Sequence, residues 1–241
     1  MAIQEGLLAA PAAKPSERRG AIARGFKKTG PAIFSYGFRP FFLGGAIWAV
    51  LAMLLWIFSL TLGLSVGGAY GALNWHAHEM VFGFYSAVLA GFLLTAVPNW
   101  TGRLPVSGMP LAILFGAWLL GRLVFLNPEI TNLYLAVGIE SLFLPMLLFI
   151  CAREIIAGHQ WKNLKVLIAV GVVTFANIAF HYLALSGGNV AMANRIGVSA
   201  YVLLIMLIGG RIIPSFTRNW LNKTGSTLFP VPWTSTYASA E

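Results

Sequence analysis

The sequence is short of charged side chains and contains no aspartate. Its 241 residues include seven acids, all of them glutamate, and only 10% of the chain is charged, whereas about 25% of a typical soluble domain is charged. The single cysteine, Cys151, excludes a disulfide within the chain, and as a free cysteine it is expected to be buried. Because 58% of the residues are hydrophobic, these shortages exclude an ordinary soluble enzyme and indicate a membrane protein.

Six apolar stretches are long enough to cross a bilayer, which takes about 20 helical residues. They lie at roughly 41–64, 80–98, 109–126, 133–151, 164–185 and 197–214. A span in lipid must satisfy its own backbone hydrogen bonds, so the sequence predicts an all-α, polytopic transmembrane bundle of about six helices. We expect residues 39–220 to form this domain, between a basic cytoplasmic tail at 1–38 and a short cytoplasmic tail at 221–241.

The distribution of lysine and arginine predicts the orientation of the bundle. With the N-terminus in the cytoplasm, all but two of the 16 Lys and Arg residues lie on the cytoplasmic side, the exceptions being Arg122 and Arg195. Cytoplasmic loops retain basic residues, so this distribution predicts a cytoplasmic N-terminus. Orientation then explains the net charge of +9, and the expected partner is the lipid bilayer and not nucleic acid.

The segment Trp75–Met80 concentrates several potential metal-binding side chains in six residues. Two imidazoles, a carboxylate and a thioether lie at the predicted outer mouth of the second helix, and ionisable groups within a membrane are functional by default. On a regular helix His76 and His78 point about 200° apart, whereas His76 shares a face with Glu79 and Met80. The two histidines therefore belong to separate sites, or to one site if the first turn is unwound. Alternatively, both are only interfacial and Asn74 caps the helix.

A third histidine, His181, lies near the outer end of the fifth predicted helix. It stands four residues before that end, which is about 6 Å along the helix axis. Asn177, one turn earlier, could orient its ring, as neighbouring polar groups orient imidazoles that bind metals. The fourth histidine, His159, falls in a predicted cytoplasmic loop. Three of the four histidines are therefore expected in the outer half of the bundle.

Two arginines lie at predicted inner ends of helices. Arg39 precedes Pro40 at the start of the first helix, and Arg211 precedes Pro214 near the end of the sixth. Each could anchor its helix by extending its charged head to the interface, or could pair with an acidic group of a cofactor. The sequence leaves both roles open.

Four long motifs together resemble the NnrS family. They are Gly37–Phe42, Trp75–Phe84, Ala90–Arg103 and Gly210–Trp220, and the resemblance extends over residues 34–221. It implies a multi-pass protein of the bacterial inner membrane that binds haem and copper and acts in the response to nitric oxide and nitrosative stress, linked to denitrification. Members of that family have about twice as many spanning helices as are predicted here, so we expect this chain to correspond to the N-terminal half of that bundle.

The resemblance makes several side chains candidate ligands of haem or copper. Imidazole suits both haem iron and copper, and a thioether suits Cu(I). The haem candidates are His76, His78, His181, Arg39 and Arg211, and the copper candidates are His76, His78, Glu79 and Met80. No catalytic residue is predicted, because metal catalysis needs an open coordination position and the sequence demonstrates none.

Two other functions fit the same sequence. Glycine and proline breaks, such as Gly91, Pro98 and Pro214, would permit rocking in a transporter for a metal or a nitrogen-oxide-related molecule. Alternatively, the chain is a non-catalytic assembly partner of a respiratory complex. Nitric oxide is an expected ligand only in the first interpretation, and a homodimer could supply the surface that a second half-bundle would provide.

Overall fold

The computed structural model describes residues 31–225, and every regular element in that range is helical. The α-helices are α1 (Phe38–Leu62), α2 (Gly71–His78), α3 (Tyr85–Thr101), α4 (Met109–Leu126), α5 (Leu133–Ser141), α6 (Phe143–Ala157), α7 (Leu164–Leu185) and α8 (Ala191–Lys223). A π-helical turn, Glu79–Phe84, joins α2 to α3, and short 3₁₀ turns occupy Ala32–Ser35, Gly68–Tyr70 and Trp161–Asn163. Most of each predicted tail lies outside the described residues.

Six helical segments of this part of the chain are long and apolar enough to cross a membrane. They are Phe38–Leu62, Gly68–Thr101, Met109–Leu126, Leu133–Ala157, Trp161–Leu185 and Ala191–Lys223. The predicted fold class is thereby confirmed, and the chain is a multi-pass helical membrane protein.

The second span begins at Gly68, well before the predicted start at residue 80. The polar residues that interrupt the apolar run do not end the helix, because His78 and Glu79 are fully buried inside the bundle. Asn74 consequently lies within α2 and makes no cap, so the predicted Asn74 cap is wrong. The histidine motif lies inside a span and not at its mouth.

The second span is also the central helix of the bundle. Within its apolar window 61% of the residues are buried, against 22% in the first and sixth spans. Its α3 portion packs against α1 and α6, while α7 packs against α6 and α8. Gly91 lets α1 and α3 approach closely, since a Cβ there would lie 2.6 Å from the ring of Phe42. Close packing of this kind is typical of small residues in membrane helices.

Backbone hydrogen bonds join the connecting segments at both ends of the bundle. At one end, the N–H of Gly67 donates to the C=O of Leu126 at 2.9 Å, which ties the start of the second span to the end of α4. At the other end, the N–H of Gly108 donates to the C=O of Phe34 at 2.8 Å. The first of these is the outer end in the predicted orientation, and the buried side chains of His78, Glu79, Arg122, Glu140 and His181 lie in that half.

Candidate functional site

A fully buried arginine lies in the outer half of the bundle. The side chain of Arg122, on α4, is 0% exposed. Its Nη1 donates to Oε2 of Glu79 at 2.9 Å, and its Nη2 donates to Oε1 of Glu140. Moving such ions out of water costs several kcal/mol each, so buried charges require close partners. Arg122 thus connects α4 to the π-helical turn and to α5.

The carboxylate of Glu79 is held from three directions. Besides Arg122, the indole N–H of Trp48 on α1 donates to its Oε2 at 2.7 Å. Its Oε1 lies 3.2 Å from Nδ1 of His78. Both oxygens are therefore occupied by protein groups.

The second carboxylate, Glu140, meets both buried histidines and an amide. Its Oε2 lies 2.7 Å from Nε2 of His181 and accepts from Nδ2 of Asn177 at 3.0 Å. Nε2 of His78 lies 3.7 Å from the same oxygen and 2.9 Å from Oδ1 of Asn177. Nδ1 of His181 lies 2.9 Å from the hydroxyl of Tyr70. We refer to the connected set as the buried polar network: Trp48, Tyr70, His78, Glu79, Arg122, Glu140, Asn177 and His181.

The charges of this network do not cancel without a further cation. Glu79 and Glu140 bring two negative charges, whereas Arg122 brings one positive charge. Both ring nitrogens of His78 face oxygen acceptors, on Glu79 and on Asn177. A singly charged cation at the histidines makes the set neutral, which an apolar surrounding strongly favours.

The π-helical turn leaves room for the arginine because Gly83 has no side chain. A Cβ at Gly83 would lie 2.4 Å from Nη1 of Arg122 and 2.6 Å from Oε2 of Glu79. The carbonyl of Gly83 also accepts from the indole of Trp118 at 3.0 Å and from the hydroxyl of Ser86 at 2.9 Å. Turns of the π type occur frequently at functional sites, and this one places Glu79 against α4.

One group of side chains has the spacing of a metal site. A nitrogen from each of His78 and His181 and an oxygen of Glu140 all lie within 4.8 Å of one another. Two imidazoles and a carboxylate suit first-row transition metals. Among the residues that the structure describes, this donor set is the one that fits a copper ion.

A haem does not fit beside the same two histidines in this packing. The ring centroids of His78 and His181 are only 4.7 Å apart. Phe82, Phe125 and Phe180 lie within 5.4 Å of the His78 ring. A macrocycle bound here would displace several aromatic rings from a closely packed core.

The structure separates His76 from the other two outer histidines. Its ring stacks on Trp56 at 4.0 Å and 9°, and its Nδ1 is buried without a partner among the described residues. His78 points into the network instead, as the angle of about 200° between the two positions on a helix requires. Met80 is half-buried and packs against the hydrophobic core, so the four copper candidates do not converge on one point.

The two candidate arginines are exposed at the opposite end of the bundle. Arg39 donates to the C=O of Ala32 at 2.8 Å. Arg211 donates to Oδ1 of Asn163 at 2.7 Å and to the C=O of Lys162 at 3.1 Å. Both arginines therefore have protein partners, and neither joins the three outer histidines.

Sequence reasoning missed the residues that organise the network. Charge counting predicts only that Arg122 lies on the outer side, and the sequence predicts no role for Glu140 although this residue interrupts an apolar run. That interruption is the available signal, because an ionisable residue inside a span is functional by default. The role predicted for Asn177 is also wrong in detail: its side chain binds His78 and Glu140, whereas Tyr70 binds His181.

The indole of Trp48 provides a test of the network's contribution to stability. We expect Trp48→Phe to destabilise the fold by about 1.5–3 kcal/mol, the range for a hydrogen bond to a charged group. Trp75→Phe is the matched control, since that indole is also buried but its N–H has no partner in the described chain. Thermal unfolding in detergent should show a larger loss for Trp48→Phe, and equal losses would contradict the assigned role.

The chain matches a known protein family. A family model described as NnrS protein matches residues 32–239. No curated protein matches the chain, and no solved structure does.

Proposed function

The chain belongs to the NnrS family, and from this premise we propose that it is a copper- and haem-binding protein of the bacterial inner membrane that acts in the response to nitric oxide. The proposed role is protection against nitrosative stress, linked to denitrification. In the predicted orientation, the proposed metal site lies in the periplasmic half of the membrane.

The buried polar network is the observation that supports this function best. It holds two carboxylates, a guanidinium and two imidazoles within an otherwise apolar bundle. Removing that many polar groups from water is costly, and in membrane spans such groups mark functional sites. If these polar groups had no function, packed aliphatic side chains at the same positions would make the bundle more stable.

Copper and haem differ in how well the described residues accommodate them. Copper fits the two imidazoles and the carboxylate of His78, His181 and Glu140, and when bound it would supply a Lewis-acidic coordination position. For haem, the packing around that group leaves His76 as the candidate ligand, since its ring lies at the side of the bundle against Trp56. Arg39 and Arg211 remain candidate partners for a cofactor acid, at the other end of the bundle.

Absorption spectroscopy of the purified chain tests the proposed function. Oxidised and reduced spectra should be recorded with and without nitric oxide, alongside iron and copper analysis, for the wild type and for His76→Ala. We expect bound metal, and a spectrum that changes with nitric oxide. His159→Ala is the control, because that residue is exposed in a connecting loop and its loss should change nothing.

Two results would contradict the proposal. Well-folded protein that contains neither iron nor copper would remove its basis. Metal-loaded protein whose spectrum is insensitive to nitric oxide would retain the metal site but exclude the nitric oxide response. Retention of haem in His76→Ala would exclude that histidine as the haem ligand.

A further inference from the structure

The two buried histidines have polar partners of the kind that orient metal-binding imidazoles. Nδ1 of His78 lies against the carboxylate of Glu79 at 3.2 Å, and Nδ1 of His181 lies against the hydroxyl of Tyr70 at 2.9 Å. In both rings the other nitrogen, Nε2, faces Glu140. Metal-binding imidazoles almost always have their second nitrogen fixed by a carboxylate, a carbonyl or another polar group. The network therefore already contains the outer groups that a metal site needs.

Only one of the two carboxylates has an oxygen directed at both histidines. Glu79 is occupied by Trp48, Arg122 and His78. In Glu140, Oε1 accepts from Arg122, which leaves Oε2 facing the Nε2 atoms of His78 and His181. Arg122 therefore acts as a positioning residue that directs Oε2 of Glu140 toward the histidines.

We propose that Nε2 of His78, Nε2 of His181 and Oε2 of Glu140 bind a single copper ion, and that the buried charges select its singly charged form, Cu(I). The proposal rests on the proposed function and assigns its copper to three residues on α2, α5 and α7. It replaces the sequence-based copper set of His76, His78, Glu79 and Met80 with one that converges in space.

The preference for a singly charged ion follows from the charges of the network. Glu79, Glu140 and Arg122 together carry one net negative charge when the imidazoles are neutral ligands. A singly charged ion makes the whole set neutral, whereas a doubly charged ion leaves one positive charge inside an apolar bundle. Each uncompensated charge costs several kcal/mol in such surroundings. Zn²⁺, which suits the same donor atoms, should therefore bind less well than its coordination chemistry alone would indicate.

The walls of the site also favour an ion without a water shell. The His78 ring packs among Phe82, Phe125 and Phe180, and both histidines are at most 2% exposed. Asn177 is the neutral polar group beside the three ligand atoms, with its Oδ1 2.9 Å from Nε2 of His78. Binding of the ion must break this contact and the hydrogen bond from Nδ2 of Asn177 to Oε2 of Glu140, so the amide of Asn177 must turn away while the three ligands stay in place.

Metal titration of the full chain in detergent tests the proposal. Protein stripped with a chelator is titrated anaerobically with Cu(I), with Ag⁺ as a redox-inert singly charged probe, and with Zn²⁺. We expect one Cu(I) or Ag⁺ per chain, and binding at least about tenfold weaker in His78→Ala, His181→Ala and Glu140→Gln, in line with the effects of altered metal-site residues. His159→Ala is the matched control, because that imidazole is exposed in a connecting loop, and it should bind as the wild type does.

A milder variant keeps the test valid where a ligand variant fails to fold. Tyr70→Phe removes only the hydroxyl that fixes His181, so it should fold and bind Cu(I) about 10-fold more weakly. Unchanged binding in this variant and in all three ligand variants would overturn the site.

Other outcomes test the charge selection, the metal site and the proposed function separately. Zn²⁺ bound as tightly as Ag⁺ would overturn the charge selection. Folded protein that binds none of the three ions would show that the network is purely structural and would overturn the whole inference. Failure of the proposed function would give a different result. Copper would then bind at these residues, while nitric oxide left the absorption spectrum of the metal-loaded protein unchanged.

Discussion

Replacing Arg122 with methionine is expected to destabilise the bundle more than any other single change in the network. The variant leaves two facing carboxylates, Glu79 and Glu140, without the guanidinium that now pairs with both. Removal of one partner from a buried ion pair typically costs about 3–5 kcal/mol, because the remaining charge has no compensation. That loss is a large part of the total stability of a typical domain, so little folded Arg122→Met protein should be recovered.

The measurement is the thermal stability of the detergent-solubilised protein, followed by size-exclusion chromatography after heating. Arg195→Met is the matched control, since Arg195 is exposed on α8 and its loss should have little effect. A triple variant that adds Glu79→Gln and Glu140→Gln should recover much of the stability, because a neutral network no longer needs the cation. An Arg122→Met protein as stable as Arg195→Met would show that the ion pairs do not support the fold.

The second large effect is expected at Gly83, where even a methyl group has no space. In Gly83→Ala the new Cβ would lie 2.4 Å from Nη1 of Arg122 and 2.6 Å from Oε2 of Glu79. The ion pair between these residues must therefore lengthen or the π-helical turn must move. Overpacking of a buried site typically costs about 1–3 kcal/mol, and loss of the fixed geometry should weaken copper binding as well.

Gly116→Ala is the control for this variant. Gly116 is also helical, but a Cβ there meets nothing within 4 Å. Alanine is preferred to glycine in a helix by about 1 kcal/mol, so Gly116→Ala should leave thermal stability unchanged or raise it. If both alanine variants unfolded at the same temperature as the wild type, the close contact between the π-helical turn and Arg122 would not exist in solution.

The sequence predicts the architecture of this protein well because hydropathy and length determine it. Each of the six predicted apolar stretches lies within, or largely within, a helical span of the described chain. The separation of His76 from His78 was equally accessible, because the periodicity of a helix places residues two positions apart on different faces. Such features depend on local sequence alone.

The composition of the site depended on contacts between distant segments and could not be read from local patterns. Trp48 and Glu79 are 31 positions apart, and Glu140 and His181 are 41 positions apart. The hydropathy pattern also placed the start of the second span too late, because it treats His78 and Glu79 as boundary residues. Arg122 supplies the missing partner of Glu79. Counting charges does not distinguish an arginine that pairs inside a bundle from one that faces water.

The central claim is that the outer half of the bundle holds copper between His78, Glu140 and His181. Anomalous diffraction from crystals of the full chain, loaded anaerobically with Cu(I) and measured at the copper edge, tests it most directly. The account predicts one strong peak in contact with the two Nε2 atoms and with Oε2 of Glu140, while Arg122 still pairs with both carboxylates. A peak at His76 and Met80, or none in the network of a copper-loaded protein, would contradict it.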